Sequence, residues 1–147
     1  MAKKKPKSKG KKPPPRCKAI LICDSVIVDA VTGKTSIIGT FDTCFLRQFP
    51  GPTFPFSAFM QLVDGIGRYS LVIEVHDLRE DKVIARMPPV PIEFPQRTNR
   101  VNFFTPPMSI GLAHEGTYDL VVLADGEVID RQRFDAKLVP TGGQSSE

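Results

Sequence analysis

Carboxylates and histidines are the side chains through which this chain would most readily do chemistry, and they fall in few places. Asp24, Asp29 and Asp42 lie early in the 147-residue sequence, where two successive β-rich runs would pair and draw them toward one another. Two carboxylates held close can divide acid and base roles. The plainer role of an Asp near a strand end is to accept hydrogen bonds from backbone amides. His76 precedes Asp77, and the two could share a strand edge and point outward; His114, the other histidine, has no partner that sequence alone supplies. Asp77, Glu80 and Asp81 cluster in one turn, as the oxygen ligands of calcium do. Arg79 and Lys82 interleave them and neutralise the cluster, so a salt-bridged turn is expected there.

The motifs of common reactions are incomplete. Thr32-Gly33-Lys34-Thr35 matches the end of a phosphate-binding loop, but Val28 stands where the earlier glycine belongs, and a strand follows where a helix is needed. Gly65-Ile66-Gly67 opens a dinucleotide-type motif that Ser70 interrupts, with no βαβ unit around it. No Gly-x-Ser-x-Gly elbow occurs. Cys17, Cys23 and Cys44 are few, odd in number and free of any Cys-x-x-Cys spacing, which fits a reducing compartment better than a disulfide scaffold. Cys23 and Cys44 sit in apolar runs, where a thiol behaves as a small hydrophobe. The expectation is a protein that is not an enzyme and has no cofactor or metal. Were it an enzyme, the Asp24/Asp42 region or the His76–Asp77 pair would carry the reaction.

The elements that would position these groups are strands. Tyr69, Leu71, Ile73 and Val75 alternate with more polar residues, the period of a strand with one buried face. Arg79–Lys82 turns the chain and Val83–Met87 returns, making a hairpin. Phe54–Leu62 alternates likewise, and Asp64-Gly65 after it reads as a tight hairpin turn. Lys18–Val28 is apolar on both faces, as in a covered central strand. Thr32-Gly33 turns it into a second strand, Thr35–Leu46, with Gly39 as a bulge or a point of close approach. Prolines at 50, 52 and 55 forbid regular structure there, and those at 88, 89, 91 and 95 allow only a short edge strand. Asn99–Phe104 is a further strand, and Pro106–Glu115 a connection with room for one helical turn. Gly116–Ala124, the Asp125-Gly126 turn and Glu127–Phe134 form a hairpin in which Val128 and Ile129 break the alternation. Seven to nine short strands separated by turn signals about every 8–12 residues indicate one all-β domain, an antiparallel immunoglobulin-like sandwich over residues 17–139. Gly-x-Tyr-x-Leu at 116–120 resembles the tyrosine corner of such domains, although Leu120 replaces their second cysteine and no tryptophan exists.

Residues 1–16 carry eight of the 20 basic residues and no acid, leaving a body with 12 basic and 16 acidic residues. That Lys/Pro-rich tail is expected to be disordered, as is 140–147. Lys3, Lys4, Lys5, Lys7, Lys9, Lys11, Lys12 and Arg16 would attract phosphate backbones without reading base sequence, so nucleic-acid association through the tail is one expected role. The other, preferred expectation is a protein-binding or assembly module. Its partner, another protein or a second copy, would meet phenylalanines flanking the proline-rich loop, chiefly Phe45, Phe49 and Phe54. Asp24 interrupts the first apolar run too early for a signal peptide, and Ile22 is too large for a lipoprotein site at Cys23. No run is long enough to span a membrane as a helix. No membrane contact and a cytoplasmic location are therefore expected.

Cys23-Asp24, Ser36-Ile37-Ile38-Gly39-Thr40-Phe41-Asp42 and Phe49-Pro50 together resemble the opening of a small bacterial family of unknown function. The Gly-x-Tyr-x-Leu segment followed by Leu123-Ala124-Asp125-Gly126-Glu127 resembles its end. The resemblance covers about residues 18–139; the prolines at 88–95 depart from the pattern and the Lys-rich tail lies outside it. It implies a cytoplasmic bacterial β-sandwich and transfers no activity, cofactor or site residue.

Overall fold

The computed structural model describes residues 12–140; Lys3, Lys4, Lys5, Lys7, Lys9, Lys11 and the segment 141–147 lie outside the described residues. Every regular element is a strand: β1 (Arg16–Val28), β2 (Thr35–Thr40), β3 (Thr43–Leu46), β4 (Gly51–Pro52), β5 (Ser57–Val63), β6 (Gly67–Asp77), β7 (Lys82–Arg86), β8 (Val90–Phe94), β9 (Val101–Phe104), β10 (Gly111–Leu112), β11 (Gly116–Ala124) and β12 (Glu127–Leu138). They form a four-stranded sheet ordered β2-β1-β5-β9, a six-stranded sheet ordered β3-β12-β11-β6-β7 with β8 also on β6, and the short pair β10-β4. Ile22, Ala58, Met60 and Leu62 from the first sheet join Leu71, Ile73, Val75, Leu120, Val122 and Phe134 from the second in one buried cluster. The alternation of β6 accounts for its place there: Tyr69, Leu71, Ile73 and Val75 are all buried.

The strand segments number twelve among the described residues rather than seven to nine. One reason is that Thr35–Leu46 is not a single strand. β2 pairs with β1 in the four-stranded sheet, and β3 pairs with β12 in the six-stranded one, so the chain changes sheets at Phe41-Asp42. Gly39 permits the change: its φ is +72°, and a Cβ there would overlap the Asp24 carboxylate. The β3–β12 pairing is parallel, an exception to the otherwise antiparallel ladders. Asp64-Gly65 likewise turns the chain from one sheet into the other instead of closing a hairpin; Asp64 takes the positive φ, 62°. Pro106–Glu115 holds β10 and no helical turn.

The two expected hairpins form, β6–β7 and β11–β12. In the second, Val122 pairs with Asp130 but Leu123 with Val128, so Ile129 is an extra residue on β12. That β-bulge is the physical cause of the broken alternation at 128–129. β8 is short, carries Pro91 and lies on β6 beside β7, as its prolines require.

Residues 12–16, assigned by composition to the tail, rest on the body. Pro15 is buried and Arg16 opens β1, paired with Val63. The Tyr69 hydroxyl donates to the Pro13 carbonyl at 2.9 Å and accepts the Ile66 amide at 3.0 Å, and Lys12 lies 4.2 Å over the Tyr69 ring.

Candidate functional site

The aromatic residues around the proline-rich loop divide into two kinds. Phe45, on β3, is 41% exposed, and Phe54, just before β5, is 52% exposed. Phe49 is half-buried and packs against the core. Phe45 and Phe54 stand on either side of a surface pocket of about 340 Å³, floored by Phe41 and Phe56, whose rings meet edge to face at 6.1 Å. Thr43 and Cys44 of β3, and Thr40 and Asp24 from the four-stranded sheet, complete its lining. The pocket exists because the chain changes sheets at Phe41-Asp42. β3 is displaced to the edge of the six-stranded sheet, and no strand among the described residues covers its outer side. The Arg47 guanidinium lies 5.6 Å over the Phe54 ring.

The early carboxylates sit in different local settings. Asp24 lines the pocket, and Asp42 accepts the Thr43 hydroxyl at 3.3 Å. Asp29 closes the β1–β2 turn by accepting the Val31 and Thr32 amides at 2.8 and 2.9 Å; these amides, Thr32 first, hold its carboxyl below the usual range. Among the described residues, no three His, Cys, Asp or Glu side chains form a metal-holding group.

His76 and Asp77 are not a pair. Adjacent strand residues point to opposite faces, and each finds another partner. His76 Nε2 meets Glu74 at 2.8 Å, and the other Glu74 oxygen accepts from Arg86 at 2.5 Å. Asp77, 2% exposed, meets His114 Nε2 at 2.8 Å, a contact across 37 residues that sequence spacing could not reveal. It also accepts the Arg79 and Glu80 amides at 3.0 and 3.2 Å, which fastens the turn that its acidic neighbours suggested as an ion site. His114 Nδ1 lies 2.6 Å from the Glu115 carbonyl oxygen, so each ring nitrogen has a polar partner within the protein. The ring stacks on Tyr118, and Tyr118 stacks on Phe134. The buried Tyr118 hydroxyl donates to the His114 carbonyl at 2.6 Å, closing the corner expected from the Gly-x-Tyr-x-Leu segment. Desolvation, and then Asp77, push this phenol up.

Burial opposes the charge on Asp77, but the Glu80 amide, His114 and the Arg79 amide outweigh it and hold the carboxyl below its ordinary value of 3.8. Glu74 is also held below its ordinary 4.5, first by the His76 hydrogen bond, against burial, with Arg86 assisting. A carboxyl depressed in the folded state contributes stability that is complete above its unfolded pKa and is lost as pH falls through the folded one. The thermal midpoint should therefore fall with a steepening slope below about pH 4. Melting curves of the wild type and Asp77→Asn across that range check this: the substitution should lower the midpoint at neutral pH and flatten the acid limb.

The cysteines are free thiols. Burial pushes all three up, Cys17 to about 12 with help from Asp130, which leaves them poor nucleophiles.

At the far end of β1, Arg16, Lys18, Arg97 and Arg100 surround a shallow depression of about 370 Å³, with Asp64 its one acid. Arg16 donates to Asp64 at 3.0 Å. Of the tail cations, Lys12 and Arg16 are the two described, and both have partners on the body, Lys12 through the Arg68 carbonyl.

No helix among the described residues is long and apolar enough to cross a membrane. No curated protein matches the chain. The profile of a family of unknown function, DUF6941, matches residues 18–137, from the third residue of β1 to the penultimate residue of β12. All twelve strands take part in that match, and the chain belongs to the DUF6941 family of unknown function.

Proposed function

We propose that this protein is a non-enzymatic binding module, an immunoglobulin-like sandwich that receives an extended peptide of a partner protein beside β3. The observation that carries the reading is the pocket between Phe45 and Phe54, which adjoins a strand whose outer edge no other strand among the described residues covers. A peptide lying there would add backbone hydrogen bonds along β3 and seat one bulky aliphatic or aromatic side chain on Phe41 and Phe56. The free thiols support a reducing, cytoplasmic setting.

The test is a peptide array probed with the purified protein. Bound sequences should share one large apolar residue in an extended context. Phe54→Ser should weaken them about tenfold or more with the thermal midpoint unchanged, because the ring is half in solvent. Phe49→Ser should instead cost about 2–4 kcal/mol of stability, since that ring packs on the core. An array with no apolar consensus, or binding indifferent to Phe54, would overturn the proposal.

A second reading, association with nucleic acid, draws support from the basic depression that Arg16 helps to line. Binding to duplex DNA should then weaken with salt at a log–log slope of roughly −0.9 per phosphate, and Arg97→Glu/Arg100→Glu should reduce the slope by about 2. Salt-independent or absent binding at low salt excludes it.

A further inference from the structure

We propose that the β1–β2 hairpin is an arm through which two copies of this chain associate, β2 pairing antiparallel with β2 of the second copy across a two-fold axis. The arm is anomalous within an otherwise well-packed domain. From Asp24 to Phe45 no residue is buried. β5 pairs with β1 only as far as Cys23↔Ser57, so among the described residues Ser25–Val28 has β2 as its sole strand partner. The ladder Val28↔Thr35 to Ser25↔Ile38 is thus a two-stranded ribbon projecting past the sheet. Such a ribbon is marginal in water; stability requires a third strand or a covering layer.

Its side chains are those of a covered element. Val26 and Ile37 pair on one face; Ile27 and Ile38 lie on the other and are about half exposed. Val31 at the tip is 93% exposed.

The edge also lacks the protection carried by three other edge strands. β7 begins at Lys82 and ends at Arg86, β8 contains Pro91 and Glu93, and β9 lies between Arg100 and Pro106. Charge and proline are how sheets keep edges from pairing. β2, Thr-Ser-Ile-Ile-Gly-Thr, has neither.

The occupant is a second copy because the edge is complementary to itself. An antiparallel pair of identical strands is two-fold symmetric. With Ser36 and Ile37 flanking the axis, Lys34 of each copy lies opposite Gly39 of the other. The Asp24 carboxylate sits against that glycine, so two Lys34–Asp24 attractions form at once. The two ribbons become one four-stranded ribbon. So short an edge buries less than the roughly 1,600 Å² of a standard interface, which makes the dimer reversible and concentration-dependent.

Sedimentation velocity on the full chain from about 5 to about 500 μM tests this, since a sub-standard interface should dissociate within that range. The wild type should shift from monomer toward dimer. Ile38→Lys, which places on this edge the kind of charge that keeps sheet edges from pairing, should remain monomeric throughout with an unchanged melting midpoint. Lys34→Glu should weaken association about tenfold, and Asp24→Lys/Lys34→Glu should restore it. Phe54→Ser should dimerise as the wild type does, which separates this surface from the peptide pocket. A wild type monomeric at the highest concentration, or dimers that survive Ile38→Lys, would overturn the proposal. Failure of the exchanged pair to restore association would overturn the register.

Discussion

Replacing Asp77 with Ala should be the most damaging single change outside the apolar core. The carboxylate is buried and holds three groups at once: the His114 ring and the amides of Arg79 and Glu80. Its removal leaves them without their acceptor in a site with little water. Breaking a buried pair of this kind typically costs about 3–5 kcal/mol. For a domain of this size that is on the order of 10–20 °C in melting temperature. The damage should spread to the corner as well, because the His114 ring stacks on Tyr118 and the His114 carbonyl accepts the Tyr118 hydroxyl. Thermal denaturation measures the loss. His114→Ala in the Asp77→Ala background should cost much less than His114→Ala alone, since the two share one interaction. Full additivity would mean that the Asp77–His114 contact contributes nothing.

Gly65→Val should be the second large loss, for a steric reason. A Cβ on Gly65 would come within 2.5 Å of Phe94 Cδ1 and 2.6 Å of Cε1. Phe94 cannot retreat: it is fully buried and meets Tyr69 edge to face at 5.8 Å. Overpacking a rigid site costs about 1–3 kcal/mol, and valine adds two further methyls, placing the substitution at the upper end. Phe94→Leu should be destabilising alone but partly compensating in combination with Gly65→Val. Chemical denaturation of both single variants and the double variant decides this, and purely additive losses would show that the ring is not what excludes a side chain there.

Both sites show what was and was not legible from sequence. The strand alternation at Tyr69–Val75 and the Asp125-Gly126 turn are local signals, and the hairpins they announce form. Gly39 within a β-rich run signals either a bulge or a close approach, and Asp24 is what approaches it. Asp64-Gly65 has the same turn chemistry whether the chain doubles back or crosses to another sheet. The choice depends on distant strands: β5 lies between β1 and β9, whereas β6 lies between β11 and β7. The split of Thr35–Leu46 was hidden for the same reason, since both halves have strand-forming composition. Among the phenylalanines the local pattern marked the right loop but could not separate Phe49, held against the core, from Phe45 and Phe54 at the surface. The Asp77–His114 contact lay beyond reach because nothing in either neighbourhood refers to the other.

The parallel pairing of β3 with β12 has a consequence for how the molecule comes into being. Residues 43–46 leave the ribosome about ninety positions ahead of residues 135–138, their only strand partner among the described residues. Until then β3 is an orphan, and β11 lacks the neighbour that fills the sheet between them. The nascent chain must keep the β3 edge from straying for most of its synthesis, at a translation speed of about 5–20 residues per second, whereas β11 waits only a few residues for β12. A message truncated shortly before codon 135 would yield a product that holds most of the core residues yet cannot close its larger sheet.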